Sequence, residues 1–390
     1  MKVCILTTSF PAHRGHFQSP FIYELAKHLT KNKIDLHVVC PFYKNSKKEE
    51  TWGNIKIHRF QYFYPKFLQK LTSGGGIPSN LKTSFMAKLQ FPFFIISMFF
   101  KARKIAKKCD IIHAQWALSA LVGIFIKKPI VLTTRGEAVN SALRGKLSKK
   151  ILLYILKKCN YIVPNNYKHE LILNQLNLPR NKIKTITNGV NINLFKPRNK
   201  IKARKTLNLP EDKKIILSVG WLIKRKGHNY LLDAIPELIK QHKDLLFIII
   251  GNGILKKNLL NKSKKLGITN HVKFIKAQEP NKIPIWMNAA DIFILSSLSE
   301  GRPNVIAEAL ASGLPVIATK VSGTPEFITH KENGLLINPK STKAIINSIN
   351  LLYNNSKKLE KNSRKSILDK KLGWDDCAKN YIDIYKKILK

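Results

Sequence analysis

Residues 291–326, DIFILSSLSEGRPNVIAEALASGLPVIATKVSGTPE, decide the fold of this chain. Ile292 to Leu295 is a short run of large apolar side chains, the mark of a strand buried on both faces. Ser297, Ser299 and Gly301 end it, and Pro303 stands where a helix's first turn tolerates a missing N–H. From Asn304 to Ser312 the residues Val305, Ile306, Ala309 and Leu310 fall on one helical face, and Gly313 stops the helix in the C′ role. Pro315 to Ala318 begins another strand. Strand, loop, helix, turn, strand is the repeat of a parallel α/β sheet.

Two carboxylates sit in this unit, Glu300 in the loop off the strand's carboxyl end and Glu308 eight residues on in the helix. Ligands of open α/β sheets bind outside the carboxyl ends of strands, which points the loop carboxylate at a crevice. The helix-start amides of Asn304 and Val305 suit an anion such as a diphosphate. A carboxylate beside that anion needs hydroxyl donors, and sugar or ribose hydroxyls supply them. Read as structure alone, Glu300 is a capping carboxylate and Glu308 a solvated helix residue.

The segment EGRPNVIAEALASGLPVIAT with the following GTPE resembles the E-x7-E segment of the retaining glycosyltransferases of family 4, which have the two-domain GT-B fold. The resemblance implies an α/β chain of two Rossmann-like domains facing a cleft. It implies that Glu300 contacts the transferred sugar and Glu308 the nucleotide ribose, with Ser297, Gly301, Arg302, Pro303, Asn304 and Val305 lining the donor site.

Composition sets the outer limits. With 390 residues, 44% of them hydrophobic, the chain is long enough for two domains with substantial cores. Its 69 Lys and Arg against 23 Asp and Glu give a net charge of +46, a field that favours anionic partners: nucleic acid, anionic headgroups or phosphorylated substrates. Compositional drift is the plain alternative, since Lys, Asn and Ile are abundant together. No helix-turn-helix, zinc module or pattern of stacking aromatics supports a nucleic-acid partner, so none is expected. Cys4, Cys40, Cys109, Cys159 and Cys377 form no C-x-x-C pair, which fits reduced thiols in the cytoplasm and argues against zinc or a disulfide framework. MKVCILTTSF reads as a first strand and not as a signal peptide. The most lipid-like run, Phe91 to Phe100, has about half the ~20 residues a spanning helix needs, so no transmembrane segment is expected.

The first half opens strand, loop, helix, strand over Lys2 to Val39, without the G-x-G-x-x-G of a dinucleotide site. Its loop carries Gly15 and His16; family 4 has a glycine pair there, beside the donor phosphates and the acceptor. Residues 44–84 read as an irregular surface excursion containing Gly74, Gly75 and Gly76. Phe85 to Lys108 is an aromatic, apolar block followed by Lys101, Arg103, Lys104, Lys107 and Lys108. It reads either as a core helix with a solvated basic end or as a face for an anionic membrane. Residues 143–158 form a second basic amphipathic helix. His113 ends one expected strand, and Arg135, Gly136 and Glu137 follow another. Family 4 commonly has a histidine where Arg135 stands. An arginine is no general base but neutralises a phosphate or an acceptor carboxylate. We assign Arg135 to the site on that ground, with His16, His113 and Glu137 toward the acceptor.

TITNGVNINLFKP, Thr185 to Pro197, resembles the family's interdomain segment, with Asn191 in place of its aspartate. It sets the expected domains at 1–197 and 198–372. In the second, GWLIKRKG at Gly220–Gly227 matches the family's diphosphate loop at Lys226, while Trp221 replaces its arginine, which leaves Arg225 or Lys224 to compensate or the site to rely on fewer charges. Gly251 begins a G-N-G turn that the family shares. Gly373-Trp374 onward resembles the family's last helix, residues 373–390, which returns to the first domain. No D-x-D occurs, so neither a metal nor another cofactor is expected, only a UDP- or GDP-linked sugar as substrate. The expected function is sugar transfer with retention to a sugar or lipid-linked hydroxyl acceptor, with Glu300, Lys226 and Arg135 at the chemistry. The expected place is the cytoplasm, peripheral to the inner face of the membrane. The rivals are a GT-B protein of other chemistry, such as an epimerase or phosphorylase, and an inactive relative.

Overall fold

The computed structural model describes all residues except 17, 18, 44, 45, 73–75, 136–142 and 144. The chain divides into two compact units, Met1–Asn188 with Trp374–Lys390, and Gly189–Gly373. Val190 and Phe195 pack in the second unit's core, so the division falls before residue 197, where the linker motif had placed it.

In the first unit a seven-stranded sheet runs β3-β4-β2-β1-β5-β6-β7. Its members are β1 (Lys2–Leu6), β2 (Asp35–Pro41), β3 (Glu49–Trp52), β4 (Ile55–Phe60), β5 (Ile111–Gln115), β6 (Ile130–Thr134) and β7 (Tyr161–Pro164). All pairs are parallel except β3–β4. That hairpin overturns the irregular reading of 44–84. Gly53 supplies the positive φ of a tight turn, and Ile55, Ile57 and Arg59 alternate inward with period two. The helices are α1 (Pro20–Lys31), α2 (Ile77–Thr83), α3 (Phe85–Ala106), α4 (Ala117–Ile124), α5 (Lys146–Lys158), α6 (Tyr167–Asn174) and, from the chain's end, α14 (Trp374–Leu389). One sheet face packs on α1 and α14, the other on α3, α4 and α5.

The second unit has a six-stranded, all-parallel sheet in the order β10-β9-β8-β11-β12-β13. Its strands are β8 (Lys214–Val219), β9 (Leu245–Ile250), β10 (Val272–Ile275), β11 (Ile292–Leu295), β12 (Val316–Thr319) and β13 (Gly334–Ile337). The helices α7 (Lys200–Thr206), α10 (Ile283–Ala289), α11 (Asn304–Ala311) and α13 (Lys357–Asp369) contribute to the core on one face; α8 (His228–Gln241), α9 (Lys256–Lys265) and α12 (Thr342–Asn354) cover the other. Burial on both sides explains why β9, LLFIII, has no polar residue. The order is the doubly wound 3-2-1-4-5-6, which reverses direction between β8 and β11. The first unit repeats it with its switch between β1 and β5.

Candidate functional site

The loops after β8 and β11 leave the carboxyl ends of two hydrogen-bonded strands at the switch point of the second unit, the place where open α/β sheets bind ligands. Gly227, at φ +66, turns the first loop into α8; a Cβ there would lie 2.0 Å from the Ser296 carbonyl oxygen. That close approach lets the loops bind each other. The Leu298 amide donates to the Arg225 carbonyl at 2.7 Å, and the Ser296 hydroxyl reaches the Lys226 and Gly227 carbonyls at 3.3 and 3.2 Å.

Lys226 and Glu300 meet there. The Lys226 ammonium donates to Glu300 Oε1 at 2.6 Å, and the Ser297 hydroxyl donates to the same oxygen at 2.6 Å. All three residues are buried. Arg225 Nη1 stands 3.7 Å from Glu300 Oε2 and remains solvent-exposed. A Cβ on Gly220 would lie 3.4 Å from Lys226 Cε, and one on Gly251 would lie 1.9 Å from the Gly220 carbonyl oxygen. Both glycines therefore let backbone and lysine pack closely. His228, the first residue of α8, is buried, and burial with the neighbouring Lys226 charge lowers its pKa to about 4, against a raising contact from the Trp221 backbone. It is a neutral imidazole beside the cation, and the sequence reading had missed it. Its position just after the K-G pair was the available signal.

Not every expected donor residue joins this cluster. Arg302 Nε donates to Glu326 at 3.0 Å, and its guanidinium lies 3.8 Å from the Phe327 ring centroid. Arg302 thereby clamps the β11 loop to the Thr324–Glu326 turn. The Gly301 carbonyl accepts from the Gly323 amide at 2.9 Å and joins the same two segments. Pro303 caps α11 one residue before the helix, Asn304 and Val305 begin it half-buried, and Glu308 is half-buried on its second turn.

In the first unit the loop after β1 holds Gly15, at φ 84, and His16, half-buried and 5.1 Å from the His13 ring. Burial first, then His13 and Arg59, lower the His16 pKa. Arg59 itself gave no sequence signal. Fully buried at the end of β4, it donates to the Pro11 and Ala12 carbonyls at 2.7 and 3.3 Å and to Glu50 at 3.0 Å. Arg135 follows β6, buried, donating from Nε to Gln115 Oε1 at 2.7 Å and from Nη1 to Asn188 Oδ1, with its guanidinium 4.7 Å from the Phe21 ring centroid. Burial lowers its pKa.

His113 is a correction. It is fully buried: Nδ1 bonds the Tyr385 hydroxyl at 2.6 Å, and Nε2 meets the Thr133 hydroxyl and the Gln115 amide at 2.8 and 2.9 Å. Both ring nitrogens serve the protein, and burial lowers its pKa to about 3. It fixes α14 to the sheet and is closed to an acceptor. Glu137 lies outside the described residues. No group of three or more His, Cys, Asp or Glu side chains suited to a metal occurs among the described residues.

The family models match in tandem. Residues 18–194 match the model described as Glycosyltransferase Family 4, and residues 199–367 that of Glycosyl transferases group 1. The chain belongs to this glycosyltransferase family. A UDP-Gal:alpha-D-GlcNAc-diphosphoundecaprenol alpha-1,3-galactosyltransferase of Escherichia coli is 29% identical over 65% of this chain and 68% of that one. Among solved structures, sucrose-phosphate synthase of Thermosynechococcus elongatus superposes with a TM-score of 0.82 at 20% identity, covering 100% of this chain and 99% of that one. Anabaena HepE in complex with UDP gives 0.76 at 19% identity, over 99% and 100%. At these identities the structures establish the fold, GT-B with two Rossmann-like units.

Proposed function

We propose that this chain is a retaining, metal-independent glycosyltransferase that moves a sugar from a nucleotide-diphosphate donor to a hydroxyl acceptor in cell-surface polysaccharide or glycolipid synthesis. The carrying observation is the buried Lys226–Glu300–Ser297 cluster at the switch point of the second unit. A cation, a carboxylate and the start of the helix that follows them match the diphosphate and the sugar of such a donor. Lys226, with Arg225 and the α11 amides, offsets the diphosphate charge. Glu300 accepts from sugar hydroxyls and Glu308 from the ribose. Gly220 and Gly251 let the strand-end loops pack closely around Lys226. Binding of UDP by HepE and the UDP-galactose named for the Escherichia coli relative support a nucleotide-sugar donor.

The bond between the anomeric carbon and the phosphate oxygen breaks, and the acceptor oxygen bonds to the same carbon from the same face. The acceptor proton passes to the departing phosphate oxygen, so no side-chain base is required. Gly15 serves the donor phosphates, and His16 and Arg135 serve the acceptor side, Arg135 as a cation for its phosphate or carboxylate. The diphosphoundecaprenol in the relative's name supports a lipid-linked acceptor, and with such an acceptor the chain would work as a peripheral protein at the inner face of the cytoplasmic membrane.

The test is a panel of UDP- and GDP-linked sugars with the purified full chain, with and without lipid extract and EDTA. Glycoside formation insensitive to EDTA is expected, and Glu300→Gln lowers turnover by about a hundredfold or more. Calorimetry showing that neither UDP nor GDP binds, or release of free sugar in place of glycoside, overturns the assignment.

A further inference from the structure

The first unit wears an apolar stripe that its own fold leaves uncovered. Phe85, Leu89, Phe93, Ile96 and Phe100 recur at the helical period along α3 and are between 48% and 81% exposed. They span ~22 Å of one helix face. The opposite face, with Ala87, Phe94, Met98, Ala102 and Ala106, is buried in the core beneath. Gln90 on that inner face bonds the Lys70 amide and the Leu68 carbonyl at 3.1 and 2.7 Å. α3 is 22 residues, long and apolar enough to cross a membrane by length and composition, in place of the ten-residue run the sequence suggested. Its inner face, however, is committed to the protein. Such a helix lies on a surface.

Charge names the surface. Residues 51–169 contain 21 Lys and Arg but two acids, Asp110 and Glu137. Drift in composition spreads acids evenly; here they are missing from one stretch. The exposed Arg103, Lys104, Lys107 and Lys108 close the α3 stripe. In the same layer, with α4 between it and α3, α5 exposes Leu147, Ile151 and Tyr154 among Lys146, Lys149, Lys150, Lys157 and Lys158. A second copy of this chain would bring the same positive charge against itself, whereas anionic headgroups neutralise it.

We infer that the α3–α5 layer of the first unit docks on an anionic bilayer, with the stripe Phe85–Phe100 among the acyl chains and the basic residues at the headgroups. This rests on the membrane-peripheral reading above and names its contact face.

The experiment is co-sedimentation of the full chain with phosphatidylcholine vesicles, with and without phosphatidylglycerol. Binding is expected only with phosphatidylglycerol, weakened by salt. Phe85→Ser/Phe93→Ser/Phe100→Ser and Arg103→Gln/Lys104→Gln/Lys107→Gln/Lys108→Gln should each lose about tenfold or more in affinity while keeping the wild-type thermal transition. UDP and GDP calorimetry without lipid runs in parallel: docking with no nucleotide bound removes the transferase reading and leaves the face standing. Undiminished binding of either variant, or equal binding to neutral vesicles, overturns the proposal. So does a lipid-independent dimer that the serine variant abolishes, because a second copy is then the occupant.

Discussion

Replacing Lys226 with methionine separates the chemical role of the cluster from its structural one. The substitution keeps the chain length and removes the charge, leaving the Glu300 carboxylate buried with the Ser297 hydroxyl at 2.6 Å and Arg225 at 3.7 Å. Breaking a buried ion pair from one side costs about 3–5 kcal/mol. Because exposed Arg225 can swing closer, the smaller end applies, about 3 kcal/mol, or a fall in Tm of about 6–12 °C for a unit of this size. Lys226→Met/Glu300→Gln removes both charges and should regain most of that loss, since no orphan charge then remains. Turnover should behave oppositely. Each single variant falls by about a hundredfold or more, and the double variant does not recover, because in the proposed mechanism both groups act on the donor. The assays are thermal unfolding of the full chain and initial rates with the accepted nucleotide sugar. Recovery of turnover together with stability would refute the reasoning and reduce the pair to a structural bridge.

Three other outcomes follow from the geometry. Arg59→Met unties the loop after β1 from the sheet and leaves Glu50 half-paired; it should cost about 3 kcal/mol in denaturant unfolding, and Arg59→Met/Glu50→Gln should recover part of it. His113 is held neutral, with a folded pKa of about 3 against 6.5 unfolded, so the unfolded chain binds the extra proton between those values. Stability conferred by the neutral ring is complete above pH 6.5 and is lost as pH falls toward 3, by about 1.4 kcal/mol per pH unit. His113→Gln should remove that slope between pH 6 and 5, measured by urea unfolding of both proteins; an unchanged slope assigns it to other groups. Gly251→Ala drives a Cβ to 1.9 Å from the Gly220 carbonyl oxygen, so the loop must shift and UDP or GDP affinity should drop by about tenfold or more. Calorimetry with unchanged affinity would show that the β8 loop is not a wall of the nucleotide site.

Much of this molecule was legible in the chain itself. Strands such as Leu245–Ile250 and the loop-helix segment after Leu295 declare themselves because burial on both faces removes every polar residue and helix starts demand Pro, Ser and Asn. The same local rules placed Lys226 and Glu300 in loops at strand ends. They failed at β3–β4, where a Gly53-Asn54 turn within a polar stretch hid a hairpin. What local pattern cannot report is the direction a side chain takes once distant segments meet. Arg302, expected at the donor, is held by Glu326 and Phe327; His113 is consumed by Tyr385 from 272 residues away; Arg59 emerges as the clamp on the loop after β1. Burying a charge or an imidazole requires partners that lie far off in the chain, so only tertiary packing decides which polar residues are structural and which remain for a ligand.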